Sequence, residues 1–460
     1  MYTRNPPAIW RTALGNLWLG LLLIIAANTR AFADQIDTFV IAQMAKQHVP
    51  AVSIVVLKDG KPVKVKGYGT ANLELDARAT PGTVYQIGSV SKQFIAAAIL
   101  LLNKDGKVGL DDAVSKYIED APLSWQGITV RHLLTHTSGL IRDTADLQSK
   151  AQSDIEAIRG AYALPLLFKP GEKLQYSNVG YFTLAEIITR ASGKPWPQFI
   201  HERIFAPLGM DATRTTTIED LVANRANGYQ WVDGKYQNAP DLPGVRPSGA
   251  FLSTVLDMAR WDAALHSDTL LSSRQRELMW TPVKLNDGTP QSYGFGWEIS
   301  KVGEHRLIHH AGTMPGFRAD ISRYVDDGVT VVVLTNAFGA LPEKISGGVA
   351  ALYIPGLQPK RHAVKMSAAA LDAFTGEYRI SQGVLTISRS EGQLAMDVAL
   401  GPRTIRMGML TPEGKGRFFD EDNPRSTYSF ETDAQGRLNF VMRTETGKES
   451  VRGTKLTPVP

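Results

Sequence analysis

The stretch Gly88-Ser89-Val90-Ser91-Lys92-Gln93-Phe94-Ile95-Ala96-Ala97-Ala98-Ile99-Leu100-Leu101-Leu102 organises the reading of this chain. From Gln93 onward it is mostly apolar, rich in Ala and Leu and free of Gly and Pro, which predicts a buried helix. Ser89 and Lys92 stand three positions apart, so both fall on one face of its first turn. A hydroxyl at its ordinary pKa needs an adjacent base before it attacks a carbonyl. A primary amine beside it and the positive end of a helix dipole behind it meet that need. The same four residues equally describe a cap followed by a solvated lysine. The rest of the chain has to decide between the two.

At 460 residues there is room for more than one domain and a large core. A hydrophobic content of 43% and a charged content of 21% are those of an ordinary globular protein. The formal charge is +5, but Arg4, Arg11 and Arg30 precede the first acid, Asp34, and the remainder carries only +2. No Lys/Arg block interleaved with aromatics occurs, which argues against nucleic acid as a partner. The N-terminus has the pattern of a secretory signal over residues 1–33. Arg4 and Arg11 form a positive region, Leu17 to Ala27 an apolar one, and Ala31-Phe32-Ala33 a small-x-small cleavage site. The expected location is therefore periplasmic or secreted, with no integral membrane span after cleavage. With no cysteine, the chain has neither disulfides nor a thiol nucleophile.

Ile36 to Gln47 reads as a helix. Ala51 to Leu57 and Lys61 to Gly69, joined by Asp59-Gly60, read as a β-hairpin. The Ser89 helix is expected to end at Gly106, and a short helix before His136 to stop at Ser138-Gly139. His136 invites a Ser-His-Asp reading, but no Gly-x-Ser-x-Gly elbow occurs and nothing pairs it with a serine, so it reads as structural. Tyr176-Ser177-Asn178 is placed on a loop leading into an amphipathic helix closed by Gly193. A phenol there can pass a proton, and an amide can hold a substrate amide and an ammonium together. Thr254 or Ser253 is the expected cap of a helix over Val255 to Leu265. His309-His310-Ala311-Gly312-Thr313 lies before two strands, Ala319 to Val325 and Val329 to Thr335. Small residues after His310 are read as room for a substrate backbone against a strand edge. Adjacent histidines on a strand face opposite ways, which disfavours a metal site; no cofactor is expected.

Ser89-Val90-Ser91-Lys92, Tyr176-Ser177-Asn178 and His310-Ala311-Gly312, in this order, resemble the motifs of the serine β-lactamase and penicillin-binding protein superfamily. The resemblance is to its class C-like and D-alanyl-D-alanine carboxypeptidase-like branch, and runs from about Ile36 to Pro355. It implies an α+β fold: an antiparallel sheet flanked by helices, with an all-helical subdomain. It also implies Ser89 as nucleophile, Lys92 and Tyr176 sharing proton transfer, and Asn178 holding the substrate amide. The backbone N–H groups of Ser89 and Thr313 would form the oxyanion hole, with His310 and Gly312 lining the substrate site. Where relatives carry Lys-Thr-Gly, this chain has His310-Ala311-Gly312, exchanging a permanent cation and a hydroxyl for a weak base and a methyl. Arg306 or Arg318 are the candidates to restore positive charge.

After Pro355 the pattern changes to short alternating runs, beginning Gly376 to Ile380 and ending Leu438 to Arg443, which predicts a small all-β barrel or sandwich. Its start, Leu371-Asp372-Ala373-Phe374-Thr375-Gly376, resembles the lipocalin-like domains appended to some family members. The expected layout is a signal over 1–33, a hydrolase domain over 34–355, a linker over 356–369 and a β-barrel over 370–460. The expected activity is that of a serine hydrolase forming an acyl-enzyme on D-amino-acid peptides, amides or esters. A β-lactamase, a small-ester esterase and a penicillin-binding or cell-wall-peptide-binding module without turnover are the alternatives. The sequence leaves the oligomeric state open.

Overall fold

The computed structural model describes residues 35–144, 154–215, 220–240, 247–249, 251–381, 383–400, 403–421, 423–444 and 448–456. The expected signal segment lies outside them. Among the described residues no helix is long and apolar enough to cross a membrane. The chain forms two compact units that divide between Tyr353 and Ile354.

The first unit opens with helix α1 (35–47). Strands β1 (Ala51–Lys58) and β2 (Lys61–Asn72) follow as the expected hairpin. Asp59 and Gly60 turn it with φ of 50° and 71°, the paired left-handed geometry of a tight hairpin turn. With β3 (Ala77–Arg78), β4 (Glu298–Val302), β5 (His305–Met314), β6 (Phe317–Tyr324) and β7 (Val329–Thr335) they make one seven-stranded sheet in the order β3-β2-β1-β7-β6-β5-β4. All its neighbouring strands run antiparallel. Every residue of β7 and all but the last of β1 are buried, so these central strands are covered on both faces and read as continuous apolar runs. Helices α4 (Val255–Leu265) and α5 (Pro342–Tyr353) pack on the sheet, and Thr254 caps α4 by accepting from the Asp257 N–H at 3.1 Å. Helices α2 (Lys92–Lys104) and α3 (Asn178–Ser192) pack together, with shorter helices Val130–Leu134 and Asp154–Arg159 against α3. This is the expected α+β architecture with a helical portion beside an antiparallel sheet.

Two boundaries differ from expectation. The helix before His136 ends at Leu134, not at Ser138-Gly139, because His136 itself takes a left-handed φ of 58°. Asn178 is the first residue of α3, not a loop residue, because Ser177 caps the helix by accepting from the Gly180 N–H at 3.1 Å.

The second unit is a closed eight-stranded barrel, β8 (Gly376–Ile380) to β15 (Glu449–Lys455), with strands in chain order and the last pairing with the first. Leu385, Leu394, Phe418, Phe430 and Phe440 fill its interior, as in small barrels whose inward residues form the core. Two strands escaped the sequence reading. Arg417–Asp420 has only four residues, and Glu449–Lys455 is polar and interrupted by Gly453. That glycine admits the neighbouring strand, since a Cβ there would lie 2.8 Å from the Ile380 side chain. Before the barrel, Arg361 donates to the carbonyls of Pro424 at 2.7 Å and Ser426 at 3.0 Å.

Candidate active site

Ser89 belongs to a 3₁₀ turn over Gly88–Ser91, and α2 begins only at Lys92. The sequence reading put both residues in one α-helical turn. The tighter turn brings them closer, because at three residues per turn positions i and i+3 eclipse. Gly88 allows it, with a φ of 53°. Lys92 Nζ lies 3.1 Å from Ser89 Oγ. It also donates to Asn178 Oδ1 at 2.9 Å and to the Ser248 carbonyl at 2.5 Å. The rings of Tyr176 and Tyr181 stand 4.8 and 5.3 Å from the same nitrogen.

Lys92 is wholly buried, and burial drives its pKa well below the ordinary lysine range. Asp143 pulls it back up and Arg142 adds to the fall. In its neutral form the amine has two protons and one lone pair. Asn178 Oδ1 and the Ser248 carbonyl can only accept, so they take both protons and leave the lone pair for the Ser89 hydroxyl. The Tyr176 hydroxyl is buried without a hydrogen bond of ordinary geometry. Burial raises its pKa, opposed mainly by the Ser89 hydroxyl and then by Arg142, so it stays protonated at neutral pH. Its ring lies against His136, centroids 4.1 Å apart, and the Arg142 guanidinium at 5.1 Å.

His136 does not approach a serine hydroxyl as a base. Its Nδ1 accepts from the Ser177 N–H at 3.0 Å, and burial holds the imidazole neutral. It fixes the backbone between Tyr176 and Asn178. His310 is likewise inward-facing and 1% exposed. Its Nδ1 must donate to the Ala311 carbonyl at 2.7 Å, so Nε2 accepts from the Tyr293 hydroxyl at 2.9 Å. Burial, and then Lys92, push its pKa down to about 3. This position therefore brings no positive charge to the cleft at neutral pH.

Strand β5 carries the last predicted residues. The β4 pairing stops at Glu298↔His309, so from His310 to Met314 that side of β5 faces a cleft of about 630 Å³. Gly312 is also required by packing. A Cβ on it would lie 1.9 Å from the Ile87 carbonyl oxygen and 3.2 Å from the Ser89 nitrogen, and one on Gly88 would lie 2.4 Å from the Thr313 nitrogen. The glycines let the Ser89 turn and the strand press together, which sets the Ser89 and Thr313 N–H groups in one neighbourhood. Neither Arg306 nor Arg318 lines the cleft. Arg306 borders a separate hollow beside Trp280, and Arg318 pairs with Glu343 at 3.8 Å. Among the described residues no three His, Asp or Glu side chains cluster as metal ligands do.

Ser89, Tyr176, Asn178, His310 and Thr313 all line the cleft, with Lys92 directly beneath. Sequence reading missed Arg142, Asp143, Tyr293 and Glu298. Asp143 accepts from Asn178 Nδ2 at 2.8 Å and holds that amide with its oxygen toward Lys92. Tyr293 and Glu298 sit on Tyr293-Gly294-Phe295-Gly296-Trp297-Glu298, whose alternation of aromatics and glycines was the available signal. Gly296, φ 74°, lets this segment press on α2, since a Cβ there would be 2.8 Å from the Lys92 carbonyl oxygen.

The family model described as Beta-lactamase matches residues 36–353, more than half of the chain. The chain belongs to this family. Among curated proteins it is similar to Penicillin-binding protein 4* of Bacillus subtilis, 30% identical over 64% of this chain and 69% of that protein. It is also similar to Protein flp of Staphylococcus aureus, 29% identical over 66% of this chain and 63% of that protein. Among solved structures, the octameric penicillin-binding protein homologue from Pyrococcus abyssi superposes with a TM-score of 0.66 at 26% identity, over 92% of this chain and 99% of that one. The D-amino acid amidase from Ochrobactrum anthropi, in complex with D-phenylalanine, superposes with a TM-score of 0.60 at 26% identity, over 70% of this chain and 96% of that one. Membership of the beta-lactamase family, together with these amidase and penicillin-binding relatives, supports a serine hydrolase.

Proposed function

We propose that the chain is an exported serine hydrolase that forms an acyl-enzyme on Ser89 with D-amino-acid peptides, amides or esters. The observation that carries this reading is the buried amine of Lys92, whose two fixed acceptors leave its lone pair for Ser89 Oγ. Ser89 Oγ bonds to the substrate carbonyl carbon while its proton passes to Lys92 Nζ. The carbonyl oxygen becomes an oxyanion against the Ser89 and Thr313 N–H groups, donors that typically contribute ~10²–10³ in rate each. On collapse the C–N or C–O bond breaks. The leaving group takes the Tyr176 proton, and Lys92 returns one to Tyr176. Water then enters by the same route in reverse, releasing the acid and restoring Ser89. Asn178 holds the substrate amide as well as Lys92. The signal-like residues 1–33 support export. On this layout residues 34–355 carry the chemistry, 356–369 link, and the 370–460 barrel carries none.

Turnover of a chromogenic cephalosporin, a D-alanyl-D-alanine peptide, a D-aminoacyl p-nitroanilide and a nitrophenyl ester by the full-length protein tests the reading. Steady hydrolysis of the D-aminoacyl compound, with a phosphonate labelling Ser89 in the wild type and nothing in Ser89→Ala, is expected. A stoichiometric burst without turnover, or labelling that persists in Ser89→Ala, overturns it.

A further inference from the structure

The cleft holds few charges among the described residues, and all but one are already engaged. Arg142 pairs with Asp143 at 3.5 Å and lies over the Tyr176 ring. Asp143 also accepts from Asn178. Lys92 is beneath the surface with three contacts made, and His310 has both ring nitrogens turned to internal partners. The remaining charge is Glu298. Its side chain lines the cleft and is 45% exposed, and it lies 3.8 Å from His309 Nε2. Burial holds that imidazole below its ordinary range, so it brings no lasting positive charge at neutral pH.

Glu298 is also held in place. It is the first residue of β4, paired to His309, and follows the Gly296 segment pressed onto α2. Phe338, 49% exposed, lines the same cleft with Met314 and gives it an apolar wall. A half-exposed carboxylate beside an apolar wall suits a ligand with a compact cation and an apolar body. It repels a second carboxylate.

We propose that Glu298 binds a protonated amine on the substrate, so that this enzyme selects D-aminoacyl amides and peptides with a free α-ammonium over substrates that present a carboxylate. The inference rests on the acyl-enzyme reading of Ser89. It adds which charge the cleft selects, a matter on which the Ser-x-x-Lys chemistry is silent. An ammonium donates its protons to the Glu298 oxygens, and charge-assisted hydrogen bonds of this kind typically change affinity by ~10- to 100-fold.

The test compares kcat/KM of the full-length protein on D-alanyl p-nitroanilide, its N-acetyl derivative and its N-succinyl derivative. Wild type should favour the free amine over the acetyl compound by ~10- to 100-fold. The preference should fade as pH rises through the α-amine pKa of about 8. Glu298→Gln should shrink that ratio about tenfold, mainly through KM. Glu298→Lys should turn preference toward the succinyl compound, a gain that loss of folding cannot produce. A ratio equal in wild type and Glu298→Gln, with Ser89 still labelled by phosphonate, overturns this inference alone. Absence of labelling at Ser89 overturns it together with the acyl-enzyme reading.

Discussion

Inside the barrel, Phe374, Phe418, Phe430 and Phe440 meet ring to ring, with Phe430 centroids 4.7, 5.4 and 5.7 Å from the other three. Tyr378 joins them and sends its hydroxyl to the Phe374 carbonyl at 2.6 Å. Behind the cleft of the first unit, by contrast, the interior holds Lys92, His136, His310 and the Tyr176 hydroxyl. Every buried polar side-chain atom without a hydrogen-bond partner among the described residues falls in this unit, Tyr176 Oη and His136 Nε2 among them. An aromatic core gains from area and edge contacts and asks nothing of pKa. Burial of an amine or a phenol costs stability and moves a proton equilibrium, which is useful only where a reaction needs it. The contrast separates a unit built for packing from one that gives up packing for reactivity.

Four substitutions can break or sharpen that contrast. The largest effect is expected at Lys92. Arginine carries a proton that it cannot give up, so Lys92→Arg should lower kcat by ~10²–10⁴. In the wild type, activity should rise with pH through a Lys92 pKa depressed by burial, and the variant should lose that limb. Steady-state pH profiles check this, and an unaltered acid limb would assign the proton elsewhere. In the barrel, Phe440→Ala should remove ~3–5 kcal/mol of stability by leaving a cavity. Denaturant unfolding should show the loss while kcat/KM of folded protein stays the same; a parallel fall in kcat/KM would give the barrel a part in catalysis.

Gly312→Ala comes next. Its methyl would collide with the Ile87 carbonyl and part the strand from the Ser89 turn. A kcat loss of ~10²–10³, the usual worth of one oxyanion donor, should appear in protein with a native near-ultraviolet spectrum. The smallest effect concerns Asp320, which accepts from Ser322 at 2.7 Å and from Ser346 at 2.5 Å. Burial pushes its pKa up to about 7. The folded state thus keeps a proton that the unfolded chain releases near pH ~4. Stability should fall as pH climbs from ~4 to ~7 and then level off. Asp320→Asn should flatten this dependence, read from unfolding midpoints at pH ~4 and above pH ~7.

Much of the architecture was legible because it is written locally. Hairpin β1–β2 announced itself through Asp59-Gly60, and the ends of α2 and α3 through Gly106 and Gly193, whose φ values are 73° and 74°. Alternation in the tail located barrel strands such as Gly376–Ile380 and Leu438–Arg443 to the residue. Glu449–Lys455 was not legible, because its partners hide a polar strand that lacks apolar alternation. In the cleft, Ser89 and Lys92 were readable from their spacing. Arg142 and Asp143 were not, since a charged residue carries no local mark that tells a cleft from a solvated face.

The chain's own order of residues determined two sets of elements and a serine three positions from a lysine, because periodicity and turn chemistry act over a few neighbours. Tertiary structure alone decided what that lysine is. Its other partners lie 86 and 156 positions away, at Asn178 and Ser248, and only folding brings them close enough to take its protons. It likewise decided that His310 turns inward and uncharged while Glu298 is left facing the cleft. Charge and proton affinity depend on burial and on distant partners, and both exist only once the chain has closed on itself.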